Sequence, residues 1–191
     1  RHPRRQHAAD WVGKITVTLA VLYLLLGWHQ NRQTVQLAKK ALAAQGIEAV
    51  EVRALPIMFT YIAWDIAARD REGNIYNGVH SSYAPKPIRF IKYPTLPREE
   101  IADVLDSPDG RMFAWYTQNM FVADREPVGE DWRTNLRDRR FFGLTQPDDS
   151  RFVMQFTEDA GGAIKGVRST QAGFRGVDIR EELNRLWDLT W

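Results

Sequence analysis

The chain has no cysteine, only four histidines, and no excess of one charge sign. Without cysteine there are no disulfides, no thiolate nucleophile and no Cys-ligated zinc, and either side of a bacterial membrane is an acceptable compartment. His2, His7, His29 and His80 are scattered, with no His-x-x-x-His pair, whereas a metal site needs three or four converging ligands. His80, on an expected hairpin strand near Asp65, offers one donor at most and reads as structural. A formal charge of +2, with acids and bases mixed along the chain, provides no basic stripe, so no nucleic-acid partner is expected. Repeats and low-complexity tracts are missing as well. Gly161, Gly162 and Gly166 lack the GxxxxGK[ST] pattern of a phosphate loop and read as turns.

What the chain does have is Trp11 to Trp28, WVGKITVTLAVLYLLLGW, with Lys14 its only charge. Eighteen helical residues span about 27 Å, close to the hydrocarbon thickness of a bilayer. Trp11 and Trp28 fit the two interfaces, Lys14 can snorkel, and Leu22, Tyr23 and Leu25 face lipid in this reading. A helix that is apolar all round can also be a buried core helix or a subunit interface, and Thr16 and Thr18 dilute the run. Membrane lipid, a neighbouring membrane region of the same protein, and a second copy of the chain in a homodimer are therefore the candidate partners. Arg1, Arg4 and Arg5 favour a cytoplasmic N-terminal flank, against which Arg32, Lys39 and Lys40 weigh on the other side. The chain begins with Arg and shows no leader pattern, so it reads as a piece of a longer protein.

Past Trp28 the apolar positions Val35, Leu37, Ala38, Ala41 and Leu42 continue at helical spacing. One helix over about Ala8–Gln45 would be ~57 Å long, ended by Gly46 in the left-handed conformation. Beyond it the period becomes two. Strands are expected over Ile47–Ala54 and Phe59–Ala67, with a turn at Asp70–Asn74 into Ile75–Tyr83, and at most a short strand at Ile88–Tyr93. Helices are expected from Pro97 to Leu105 and near the end from Val177, with Leu183, Leu186 and Trp187 as an apolar stripe. Gly110–Val122 is a heavily aromatic helix or strand. Further strands are expected at Asn135–Leu144, Arg151–Thr157 and Ile164–Arg168. The fold class is α+β: a long N-terminal helix over 1–46, then a small domain over 47–191 with a mainly antiparallel sheet and two or three helices.

The carboxylates give no catalytic pattern. Glu99 with Glu100, and Glu181 with Glu182, sit near helix starts, where free amides favour negative charge. Asp65 lies beside Trp64 in an apolar strand and needs solvent or a partner. In LRDRRFF, alternation sends Asp138 and Arg140 to one face and Arg137 and Arg139 to the other. Asp138 and Arg140 then form a buried pair with a third group from the hairpin around Asp65, while the remaining arginines are candidates for an anionic contact. Trp64, Trp115, Tyr116, Phe121 and Phe141 read as core aromatics. Trp132, Trp187 and Trp191 read as contacts to a protein or to the bilayer interface if they are exposed.

Several segments together resemble the C-terminal portion of the YdjM-type family of inner-membrane metal-dependent hydrolases. They are Ala43 to Gly46 closing the helix, Val50 and Val52 leading to Pro56, Trp64 eight residues on, and Asp138, Arg140 and Phe141. Thr60 departs from the family's frequent Asn, and the tail after Thr157 has no counterpart. The resemblance implies a bacterial inner-membrane protein in which this chain is a non-catalytic accessory part. It also implies that the His and Asp residues behind the hydrolase activity, and any divalent metal, lie upstream. No cofactor and no catalytic residue is therefore assigned to these positions. An active membrane-bound hydrolase with its chemistry upstream, and a soluble homodimeric interaction domain, are the alternatives.

Overall fold

The computed structural model describes residues 3–57, 62–83, 86–141, 150, 152–171, 180–181, 184 and 188, with side chains in the first helix described from Trp11. Helix α1, Pro3–Ala44, is continuous through Gly27 and about 63 Å long. It ends in a left-handed Gly46 at φ 72°. The Ile47 amide donates to the Leu42 carbonyl at 3.0 Å and the Gly46 amide to the Ala43 carbonyl at 3.1 Å. This paired closure satisfies orphan carbonyls and reverses the chain within a few residues.

The reversal lays a four-stranded antiparallel meander along the helix: β1 (Glu51–Pro56), β2 (Ala63–Arg69), β3 (Ile75–Ser81) and the short β4 (Ile91–Tyr93). Strand β1 begins later than Ile47 because Ile47 belongs to the helix cap. Val52, Ala54, Trp64, Ile66 and Ile88 form one core with Val35, Ala38 and Ala41 of α1. Leu42 is also buried, whereas Leu37 turns to solvent. The stalk thus supplies one wall of this core instead of standing apart from the sheet, and Asn31 Nδ2 donates to the Ala54 carbonyl at 2.7 Å. The expected hairpin turn at Asp70–Asn74 is present, tied by the Asn74 amide donating to Asp70 Oδ1.

A 3-10 turn at Arg98–Ile101 leads into α2 (Ala102–Asp106) and α3 (Pro108–Tyr116), which Ser107 caps by accepting from the Gly110 amide. At Gly110 a Cβ would come within 1.9 Å of the Val104 carbonyl oxygen, so the end of α2 rests directly on the first turn of α3. The aromatic segment over Gly110–Val122 resolves into the end of α3 and the start of a strand. Gln118 and Asn119, both at positive φ, separate the two parts.

Strands β5 (Phe121–Val128), β6 (Asp131–Asp138), β7 (Phe152–Glu158) and β8 (Ile164–Gln171) form a second antiparallel meander. One face, carrying Phe121, Ala123, Leu136, Met154 and Phe156, packs on Ile101, Val104 and Phe113. The small domain therefore contains two sheets where the sequence reading anticipated one. They meet through Ala67 and Ile75 of the first, Val122 of the second and Met120 just before it, with Tyr93 against them. Arg180, Glu181, Asn184 and Asp188 are helical, in line with the expected terminal helix; its stripe Leu183, Leu186 and Trp187, together with Trp191, lies outside the described residues, as do Phe59, Thr60 and Tyr61.

Candidate functional site

The Trp11–Trp28 run projects from the fold with none of it buried. It has the length and composition of a membrane-crossing helix. Trp11 is 67% exposed and Trp28 58%, with Leu22, Tyr23 and Leu25 comparably open between them. Burial in the domain's own core is thereby excluded. The two threonines suit lipid, because Thr16 Oγ1 donates to the Val12 carbonyl at 2.9 Å and Thr18 Oγ1 to the Lys14 carbonyl at 2.8 Å. Their hydroxyls are satisfied within the helix and make no demand on the surroundings. Each tryptophan carries a cation: Lys14 Nζ lies 5.8 Å from the Trp11 ring centre and Arg32 Cζ 4.5 Å from that of Trp28. Indole and cation together match the two ends of a spanning segment.

Asp138, Arg139 and Arg140 are all buried where the second sheet meets the first. Strand β6 ends at Asp138, so alternation does not extend to the next two residues. A tight local turn makes the pair instead: Asp138 Oδ1 accepts from the Arg140 backbone amide at 2.9 Å and from Nε at 3.0 Å, while Oδ2 accepts from Nη2 at 2.8 Å. Burial pushes the Arg140 guanidinium down, and its hydrogen bonds and charge contact with Asp138 more than offset this, leaving it above its ordinary value. Tyr116 lies beneath the guanidinium, 4.7 Å from ring centre to Cζ, and the Ser150 hydroxyl donates to the Asp138 carbonyl.

The first sheet does reach this segment, through Asn77. Its Nδ2 donates to the Arg139 carbonyl at 2.8 Å. Asp65 is buried on the same face of that sheet, since it pairs with Val79 and its neighbour Ala67 pairs with Asn77. His80 pairs with Trp64, which places it on the opposite face, so His80 and Asp65 cannot share a ligand. Arg139 is 1% exposed, with Cζ 3.5 Å from the Tyr93 ring centre, and the Arg139 amide donates to the Met120 carbonyl at 2.9 Å. Arg137 is held by Asp124 at 2.5 Å. Among the described residues, the arginines of this segment thus join strands and sheets, Arg139 and Arg140 buried and Arg137 half-exposed.

Sequence reasoning missed Asn77, Tyr93 and Tyr116 as partners because each lies far along the chain. It also missed a second buried tie, in which Arg125 contacts Thr134 at 2.9 Å and Glu158 at 3.0 Å, and Thr134 donates to Glu158. Strand alternation held the signal, since Arg125 and Thr134 are cross-strand partners. On the first sheet, burial pushes Glu51 up, but hydrogen bonds and charges from Arg53 and Arg69 leave its carboxyl below the ordinary value. Among the described residues, no group of three or more His, Asp or Glu side chains is arranged to hold a metal ion.

His80 supplies a pH test. It is buried beside Trp64 with no hydrogen-bond partner for Nδ1 among the described residues, and burial holds its pKa below the ordinary 6.5. The unfolded chain therefore binds the proton more readily. Stability should be flat above about pH 7 and should fall as pH drops through about 6.5, by at most ~1.4 kcal/mol per pH unit, levelling off below the folded-state value. Urea unfolding at several pH values should show this slope in the native sequence and lose it in His80→Phe; an unchanged slope in the variant would assign the effect elsewhere.

The chain matches no family model, no curated protein and no solved structure.

Proposed function

We propose that the chain is a membrane-anchored accessory domain of a bacterial inner-membrane protein, crossing the bilayer at Trp11–Trp28. Its two-sheet domain would cover or bind what lies beside that helix. One observation carries the reading: a single helix has no buried residue along its apolar run and then, from Thr34 onward, enters the core of the domain. A flexible tether would leave the domain free to turn, whereas this helix fixes its orientation to the membrane. The segments resembling the YdjM-type family support an inner-membrane location, with any hydrolase chemistry outside these residues.

Fractionation of expressing cells tests the proposal. The chain should stay in the membrane pellet through an alkaline carbonate wash. Replacing Leu19 and Leu22 by Arg, each costing about 2.5–3.5 kcal/mol near the centre of a spanning helix, should release it. Recovery of the native chain in the soluble fraction would overturn the reading, and if it sediments there as a dimer, the apolar run belongs to a subunit interface.

A further inference from the structure

The reversal at Gly46 sends β1 back along α1 towards the apolar run. Val52 lies with Lys39 and Leu42, whereas Ala54 accepts a hydrogen bond from Asn31, so each step along β1 moves towards the helix N-terminus. Asn31 is only three residues past Trp28, about 4.5 Å along the axis. Pro56 and Ile57 extend the strand by about 7–10 Å beyond Ala54, which brings that end of the first sheet to the level of Trp28.

The residues gathered there suit an interface. The Ile57 amide donates to the Ala63 carbonyl at 2.9 Å, and the Ser82 amide to the Ile62 carbonyl at 2.7 Å, so the end of β1, the start of β2 and the exit from β3 share one rim. Tyr83 follows at once and is 66% exposed, Pro56 at the end of β1 is exposed as well, Ile62 is half-buried and Ile57 is buried. The opposite end of the same sheet is formed by Asp70, Arg71 and Glu72, about 20 Å away along β2. One end thus exposes Pro56 and Tyr83 at the height of the Trp28–Arg32 pair, and the other is charged and far from it.

We infer that the rim formed by Pro56, Ile62 and Tyr83 is a second membrane contact, seated in the headgroup region beside the point where α1 leaves the bilayer. The inference rests on the spanning role of α1. Its occupant is the lipid surface, because the rim is continuous in height with the tryptophan and cation at the end of the apolar run, and tyrosine favours that depth. Chain geometry sets the depth, so the rim requires no affinity of its own to reach the membrane.

The absence of cysteine makes the test direct. Single-cysteine variants Trp28→Cys, Pro56→Cys, Tyr83→Cys and Arg71→Cys of the full chain are labelled with an environment-sensitive fluorophore and reconstituted in phosphatidylcholine vesicles. A lipid bearing a nitroxide at a shallow position then quenches whatever lies in the headgroup region. Positions 28, 56 and 83 should be quenched to similar extents and severalfold more than position 71. Quenching at 28 with 56 and 83 no different from 71 would overturn the rim contact and leave the spanning helix intact. No quenching at 28 would overturn the spanning helix and, with it, the inference.

Discussion

Asp138→Ala should cost about 3–5 kcal/mol of folding stability, the usual penalty for removing one partner of a buried ion pair. The size follows from what is left behind. Arg140 would keep its charge at a buried position between Tyr116 and Phe141, with its Nε, Nη2 and backbone amide all deprived of the acceptor they now share. Solvent has poor access, since the Asp138 side chain is fully buried and that of Arg140 10% exposed. Exchanging both partners, as Asp138→Ala with Arg140→Met, should cost well under the sum of the single changes, because the uncompensated charge disappears together with its partner. Urea unfolding of the four species, followed by tryptophan fluorescence, gives the coupling. A single-variant cost below ~1 kcal/mol would place the pair among exposed ion pairs and refute its role as a tie.

Trp64→Ala is expected to cost ~3–5 kcal/mol for a different reason, the cavity left by a large buried ring. Trp64 is 2% exposed and lies among Ala38 of α1, Ala54 of β1, Ile66 and Ile88. The loss should be local to one side of the molecule. Hydrogen exchange should quicken over Thr34–Leu42 and β1–β3, while β5–β8, whose core is built around Phe156 and Leu136, should keep much of their protection. Trp64→Phe should recover more than half of the loss. Equal loss of protection in both sheets would mean that the two cores unfold as one unit, contrary to their separate packing.

Features governed by neighbours in sequence were legible without coordinates. The Trp11–Trp28 helix, the Gly46 cap, the turn at Asp70–Asn74 and the α+β class all follow from periodicity, glycine and hydropathy. The boundary after α3 was not, because Gln118 and Asn119 adopt a glycine-like conformation without being glycine. The second half of β5 went unassigned because Asp124, Arg125 and Glu126 carry no apolar alternation, and their cross-strand partners Asn135, Thr134 and Arg133 are known only from the fold. The number of sheets was hidden too, since each meander pairs locally and no local signal shows whether β4 and β5 pair with each other. In the polar cluster, the residue types were readable and their geometry was not. The Asp138–Arg140 pairing was anticipated through strand alternation, and a turn produces it instead. Asn77 and Tyr93 could not be placed beside the segment without knowing how the sheets meet.

The packing of α1 on the first sheet also fixes the rotation of the helix about its own axis. Residues Thr34, Val35, Ala38, Ala41 and Leu42 mark the sector of its circumference turned to the domain. Carried back at about 100° per residue, that sector passes through Gly27, Leu24, Ala20, Thr16 and Gly13. The diametrically opposite sector passes through Leu25, Leu22, Thr18, Lys14 and Trp11. The sector below the domain therefore carries Gly13, Thr16, Ala20 and Gly27 with Leu24 as its one large central side chain, whereas the far flank carries Trp11, Lys14, Leu22 and Leu25, and the domain overhangs only the first of these two sides.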